Sequence, residues 1–256
     1  MNMKVTILGT GTSQGVPIIG CNCDTCTSSD PKDKRLRASA FIETNGLKIL
    51  IDTSIDFRSQ MLRYHLDDVD IVLFTHHHVD HILGMDDLRQ INQKHNKYVE
   101  VFGNEETLKE ISVTFRYIFD ERLIAHRAVP LVNLQTINNF PFHYRDIEII
   151  PISVIHGYLP ILGYRIGKFA YITDASHIPE EEISKLIGLD VLILNALRER
   201  EHPTHFNISQ AVEVATRINA RRTFFTHLSH DVKHSVISSK LPHNIELAHD
   251  GMRIEI

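Results

Sequence analysis

The chain of 256 residues contains no apolar run approaching the roughly 20 residues that cross a bilayer, so the reading includes no membrane-spanning helix. It also lacks an excess of positive charge. Against 27 lysines and arginines stand 32 aspartates and glutamates, a net charge of −5 with histidines neutral, which offers nucleic acid no overall basic face. No low-complexity stretch divides the sequence into separate units. Cysteine is scarce: three residues, all within Cys21-Asn-Cys23-Asp-Thr-Cys26. An odd number at that spacing does not make a disulfide framework, and gathered thiolates are more often metal ligands. The opening MNMKVTILG has one lysine and a four-residue apolar run, too short for the core of a secretory signal. The expectation is a cytoplasmic protein, in which the glycosylation-like triplet Asn207-Ile208-Ser209 is a chance match.

What is present reads as one α/β domain over residues 1–256, with strand-rich segments and helices in both halves. Met3 to Leu8 predicts a first strand running into the turn Gly9-Thr-Gly11-Thr-Ser-Gln-Gly15. The spacing G-x-G-x-x-x-G and the following Val16-Pro17 do not make a dinucleotide fingerprint, which needs a helix there. Ala38 to Glu43 and Leu47 to Ile51 flank Asn45-Gly46, a two-residue hairpin signal. A short helix is expected at Phe57 to Tyr64 and a buried strand at Val69 to Phe74. An amphipathic helix is expected over 105–119 and a connector over 130–146. Further strands are expected at Ile147 to Ile152, Phe169 to Thr173 and Val191 to Leu194, and another ending at Phe224-Phe225. Ile208 to Ile218 predicts a helix, and Asp250-Gly251 a turn into a last strand. Two packed sheets with helices outside would bury these runs.

Chemistry concentrates in Thr75-His76-His77-His78-Val79-Asp80-His81, directly after an apolar strand. Imidazoles crowded together repel when protonated, so a metal is the natural reason to gather them. His76 and His78, two apart on extended chain, share a face, while Asp80 and His81 continue around the turn toward a second centre. Four donors are too many for one open catalytic site and too few for two. The missing ones recur at one kind of place. His156, Asp174 and His227 each lie at the end of an apolar, strand-like run. His77 points away by alternation, and His65, His95, His126, His143, His234, His243 and His249 lack that position. The three cysteines need a fourth donor to close a tetrahedral structural zinc site, and His230, three residues past His227, is the candidate.

His-x-His-x-Asp-His, followed by single His, Asp and His residues after later strands, resembles the metallo-β-lactamase superfamily along essentially the whole chain. The resemblance implies a four-layer αββα sandwich with two divalent ions, zinc or manganese, at the seam. It assigns His76, His78 and His156 to one ion, Asp80, His81 and His227 to the other, and Asp174 to both. The cysteine cluster, GTGTSQGVP and THLSH together resemble the subgroup of phosphoribosyl cyclic phosphate phosphodiesterases. Pyrroloquinoline-quinone biosynthesis proteins share a similar cysteine cluster. In the subgroup a histidine of the loop matching residues 197–205 acts as general acid or base. His205, directly before Phe206-Asn207-Ile208, matches best, with His202 the alternative. Arg198 is a candidate phosphate contact inside a charged run that is otherwise solvated.

The expected function is therefore hydrolysis of a small cyclic sugar or nucleotide phosphate, with Asp80 and His205 catalytic, and a third, structural zinc in the knuckle. A small phosphodiester is the expected partner, with nucleic acid and membrane disfavoured. The sequence is compatible with a homodimer but does not set the number of subunits. Two other classes stand beside this reading. One is a tRNA-processing nuclease, whose inserted basic, glycine-rich arm is missing here. The other is a non-hydrolytic metal-dependent carrier in cofactor biosynthesis, against which the full donor set argues. An exported β-lactamase, a glyoxalase with its extra helical domain and a flavo-diiron protein, with glutamate in place of His78, fit less well.

Overall fold

The computed structural model describes residues 2–256. Fourteen strands form two seven-stranded sheets. The first sheet holds β1 (Met3–Gly9), β2 (Ser39–Thr44), β3 (Leu47–Ile51), β4 (Ile71–Leu73), β5 (Val99–Gly103) and β6 (Val132–Thr136). The second runs from β7 (Phe142–Tyr144) through β8 (Ile147–His156), β9 (Leu159–Ile166), β10 (Phe169–Ile172), β11 (Val191–Asn195) and β12 (Arg222–Thr226) to β13 (Ile245–Leu247). β14 (Arg253–Glu255) returns to pair with β1 in the first sheet. The β2–β3 hairpin closes as its turn residues require: Asn45 and Gly46 both have positive φ, and Thr44 faces Leu47.

Alternation along the strands builds the layers. In β3, Ile49 and Ile51 enter the core between the sheets, whereas Leu50 packs outward with Phe57, Met61, Leu88 and Ile111 from helices Phe57–Arg63, Leu88–His95 and Glu105–Thr114. In β11, Val191 and Ile193 face the first sheet, and Leu192 and Leu194 face Ala211, Ala215 and Ile218 of helix Ile208–Ile218. Helices, sheet, sheet, helices is the four-layer α/β sandwich expected from the sequence. Among the described residues no helix is long and apolar enough to cross a membrane.

Several local expectations need correction. The connector over 130–146 contains β6 and β7; β6 is an edge strand whose Asn133 and Gln135 are exposed, so its pattern is too polar to read as sheet. The helix over 105–119 stops at Thr114 and passes into a 3-10 turn at Arg116–Phe119. The strand over 69–74 is regular only at Ile71–Leu73. β5, β9 and helix Leu88–His95 were not expected. In β9, Pro160 and Gly163 hide the strand, yet Gly163 is required, because a Cβ there would stand 2.9 Å from the Tyr171 carbonyl oxygen. The Gly9–Gly15 turn serves packing: a Cβ on Gly9 would meet the Arg37 carbonyl oxygen at 2.0 Å. Asn207 is buried and caps helix Ile208–Ile218, accepting from Gln210 N at 2.8 Å while Gln210 Oε1 accepts from Asn207 N.

Candidate metal centre

The expected donors converge where strands end. His76 follows β4, His156 is the last residue of β8, Asp174 follows β10 and His227 follows β12. Donor atoms of His76, His78 and His156 lie within 4.8 Å of one another, with His76 Nε2 3.0 Å from His78 Nδ1. Asp174 is the hub of the rest. Its Oδ2 is 3.4 Å from His81 Nε2, and its Oδ1 is 3.2 Å from His227 Nε2; His81 Nε2 is also 3.3 Å from Asp80 Oδ2. Asp174 thus contacts His81 and His227 directly and Asp80 by way of His81, while the donor groups within 4.8 Å also join His76, His81 and Asp174, and His156, Asp174 and His205. His76, Asp80, His81, His156, Asp174 and His227 are buried and His78 is exposed, at the mouth. His77 belongs to no donor group.

The hydrogen bonds decide which ring nitrogens are free. Thr75 donates its N–H and hydroxyl to Asp52, each at 2.8 Å, so its oxygen accepts from His76 Nδ1 at 3.0 Å. His81 Nδ1 donates to Asp52 Oδ2 at 2.8 Å, and His156 Nδ1 donates to the Thr204 carbonyl at 2.7 Å. In all three rings Nε2 is left as the lone-pair donor, the arrangement that orients metal-ligating histidines. Burial works against charge on His81, but Asp80, Asp174 and Asp52 outweigh it and hold its pKa well above the usual histidine value. Burial likewise opposes ionisation of Asp174, which His227 and His81 overcome, holding its carboxyl well below the usual range. Burial, with the charge of His81, keeps His76 neutral. Neutral rings such as His76 facing ionised carboxylates suit divalent cations of the zinc or manganese kind, one of which would displace the extra proton from His81 Nε2.

Asp52 was not among the sequence candidates. It is fully buried and follows β3 directly, so it carried the same strand-end signal as Asp174. Asp52, Asp174 and His227 all have φ near +60°. The Thr204 carbonyl was equally invisible, since a backbone atom leaves no mark in composition.

His205 and His202 both line a cavity of about 330 Å³ that also contains His78, Asp80, His156, Asp174 and His227. His205 alone reaches the cluster, with Nε2 3.2 Å from Asp174 Oδ1; its Nδ1 is 3.1 Å from His202 Nδ1 and 2.9 Å from Thr204 Oγ1. Burial, His205 and Arg198 lower the pKa of His202.

The cysteine cluster meets His230 as anticipated. His230 Nδ1 is 3.3, 3.5 and 3.8 Å from the Sγ atoms of Cys21, Cys23 and Cys26. Zinc–sulfur and zinc–nitrogen bonds at tetrahedral angles put sulfur and nitrogen about 3.6 Å apart, so the four donors fit one zinc. The Cys26 N–H lowers the Cys23 thiol to about 6, and burial raises Cys26 to about 11. His230 and Asp231 also line the 330 Å³ cavity.

Residues 48–228 match the model of the beta-lactamase superfamily domain. The chain belongs to the metallo-β-lactamase superfamily. Its structure superposes on that of a diphosphatase from the PhnP family with a TM-score of 0.94 at 41% identity, covering 100% of this chain and 98% of the other. This places it in the PhnP-like subgroup that the knuckle and loop motifs resemble. Human tRNase Z, short form, shares the fold, with a TM-score of 0.69 at 19% identity and 98% of each chain covered. An octanoyltransferase from Porphyromonas gingivalis is 40% identical over 98% of this chain, which spans about half (51%) of that protein's length. The chain has the metallo-β-lactamase fold, and its His and Asp groups could hold metal ions.

Proposed function

We propose that this protein is a dinuclear-metal phosphodiesterase that opens a small cyclic phosphate of a sugar or nucleotide. The observation that carries the reading is His205, an acid-capable imidazole 3.2 Å from the Asp174 carboxylate, in the same cavity as the donors His78, Asp80, His156 and His227. His76, His78 and His156 would hold one ion and Asp80, His81 and His227 the other, with Asp174 shared. Two divalent ions there would offset phosphate charge and acidify a water. Asp80, buried at the cavity wall, would be both a donor to one ion and the group that orients the attacking water. His205 gives its proton to the departing sugar oxygen, a basic alkoxide that cannot leave unprotonated. His202, kept neutral beside it, lies at the Nδ1 edge of the His205 ring.

Cys21, Cys23, Cys26 and His230 hold a structural zinc in this reading, and a reducing, cytoplasmic compartment keeps the thiols available. The chain acts as one domain, because the core between the sheets draws on Ile7 and Ile49 as well as Tyr164 and Ile193. A cavity of about 330 Å³ suits a small ligand. Leu197 is the one apolar side chain in its wall, which does not suit an octanoyl chain. About half of that longer protein lies outside the match, and its name is not carried over to this chain. The diphosphatase likeness supports phosphoryl chemistry on small substrates and keeps a diphosphate as the second reading.

The test is metal analysis of purified protein coupled to a panel of 2′,3′-cyclic nucleotides, nitrophenyl diesters, nucleoside diphosphates and precursor tRNA. Turnover led by the cyclic phosphates is expected. Turnover of tRNA alone would establish a nuclease, and none at all with two ions bound would establish a carrier.

A further inference from the structure

Asn195 is a buried polar side chain that the reaction above does not use. It ends β11, whose other residues are Val191, Leu192, Ile193 and Leu194, and it is fully enclosed. A buried amide in such a strand is there for its hydrogen bonds, since leucine would fill the same space. Its Oδ1 accepts from Ala175 N at 2.8 Å, and its Nδ2 donates to the Ala175 carbonyl at 2.9 Å. The side chain therefore grips one residue by both backbone groups, as a neighbouring strand would. The regular β10–β11 ladder ends at Ile172 and Leu194, and Asn195 carries the pairing past that end.

The gripped residue stands between two parts of the candidate site. Ala175 follows Asp174, and its carbonyl also accepts from Phe206 N at 2.8 Å. Phe206 in turn follows His205. One backbone bond thus joins the residue after the shared carboxylate to the residue after the acid-capable imidazole. The side chains themselves meet with His205 Nε2 3.2 Å from Asp174 Oδ1. Two other bonds at the base of the loop, Leu197 N to the Phe206 carbonyl and Ile208 N to the Arg198 carbonyl, close it on itself rather than on β10. Asp174 has a separate hold, because Thr173 Oγ1 donates to its Oδ2 at 2.6 Å. Without the Asn195 amide, Asp174 would keep its place while the Ala175 peptide became free to turn. The bond that fixes Phe206, and with it His205, would lose its aim.

We propose that Asn195 is a positioning residue that sets His205 against the Asp174 carboxylate. This rests on the phosphodiesterase reading, in which His205 protonates the departing sugar oxygen. Asn195 touches neither substrate nor metal ion in this role and acts through the Ala175–Phe206 bond.

Asn195→Leu keeps the shape of the side chain and removes both hydrogen bonds. On the metal-loaded enzyme it should lose roughly 10- to 100-fold in kcat on adenosine 2′,3′-cyclic phosphate, with KM little changed and far less lost on a nitrophenyl diester. The same change in a His205→Ala background should have almost no further effect, because residues that act through one step are not additive. Equal losses on both substrates, or full additivity with His205→Ala, would overturn the assignment. Loss of the catalytic-site ions would do the same, by showing that Asn195 serves Asp174 instead. Should the leucine variant not fold, Asn195→Asp repeats the test, since it keeps the acceptor for Ala175 N and, when ionised, lacks the donor. Hydrogen exchange on the metal-free protein gives a readout that needs no turnover. The Ala175 and Phe206 amides should exchange faster in either variant, while those of Tyr171 in β10 and Phe224 in β12 stay protected. Unchanged or uniformly faster exchange would sink the proposal. If the wild type hydrolyses neither diester, the phosphodiesterase reading fails, and the exchange result alone decides whether Asn195 holds the two segments together.

Discussion

The two donor clusters lie three residues apart in sequence at His227 and His230, yet they are built on different supports. The histidine–aspartate cluster hangs from the ends of buried strands, and its rings are held by Asp52, Thr75 and the Thr204 carbonyl. The cysteine knuckle sits on a loop tied by a few backbone bonds, such as Thr27 N to the Cys23 carbonyl, with Cys21 and Cys23 only half-buried. Its firmest anchor is Arg35, fully buried, which pairs with Asp33 at 3.1 Å and donates to the Ser229 and Val232 carbonyls at 2.8 and 2.7 Å. In the proposed reading metal would add chemistry at the first cluster, whose shape the fold already sets, and folding energy at the second, whose cysteines are only half-buried.

The sharpest way to break this contrast is Asp174→Asn. Removing the shared carboxylate should abolish hydrolysis while metal analysis still finds one zinc per chain at the knuckle. Loss of every metal together would show that the clusters are not independent. Next in size is His205→Ala, which general acid catalysis puts at roughly 10²–10⁴-fold on a cyclic sugar phosphate. A nitrophenyl diester expels a weakly basic phenolate and should lose far less; equal losses would reduce His205 to a binding role. The His202→Ala control should show no such substrate dependence.

Cys23→Ser tests the other side. It should lower Tm, by about 2–4 °C for each kcal/mol lost, and leave measurable hydrolysis. Because His230 and Asp231 line the substrate cavity, KM should rise more than kcat falls. Unchanged Tm with turnover gone would make the thiols catalytic and dissolve the distinction.

The smallest effect lies outside both clusters. Asp250 accepts from Thr10 Oγ1 and Leu36 N, each at 2.8 Å, and burial raises its carboxyl to about 6 despite those bonds. The folded protein thus holds this proton more tightly than the unfolded chain, near 3.8. The stability it contributes is complete below that value and is lost as pH rises through about 6, by up to about 3 kcal/mol. Asp250→Asn should therefore gain on the wild type in Tm between pH 4 and 7. A constant offset across that range would remove the buried-proton argument.

The candidate metal donors were legible because metal chemistry needs unusual side chains at one repeated place, the end of an apolar strand. The fold was legible where strands are buried on both faces, as in β11, and illegible at edges such as β6, where half the residues face water. Asp52 carried the same signal as Asp174 but stands alone in its segment, and without the three-dimensional meeting with His81 nothing separates it from a turn aspartate.

Asp52, Asp174 and His227 leave their strands through left-handed backbone, mild for aspartate and steeper for a histidine, at roughly 1–2 kcal/mol. Glycine would relax each position and delete the side chain that the site needs. Stability and activity therefore pull in opposite directions at the same three residues. A protein engineered for heat resistance by placing glycine at these three positions would gain stability and lose side chains that the proposed reaction needs. Directed evolution that screens for folding alone would be expected to lose this site first.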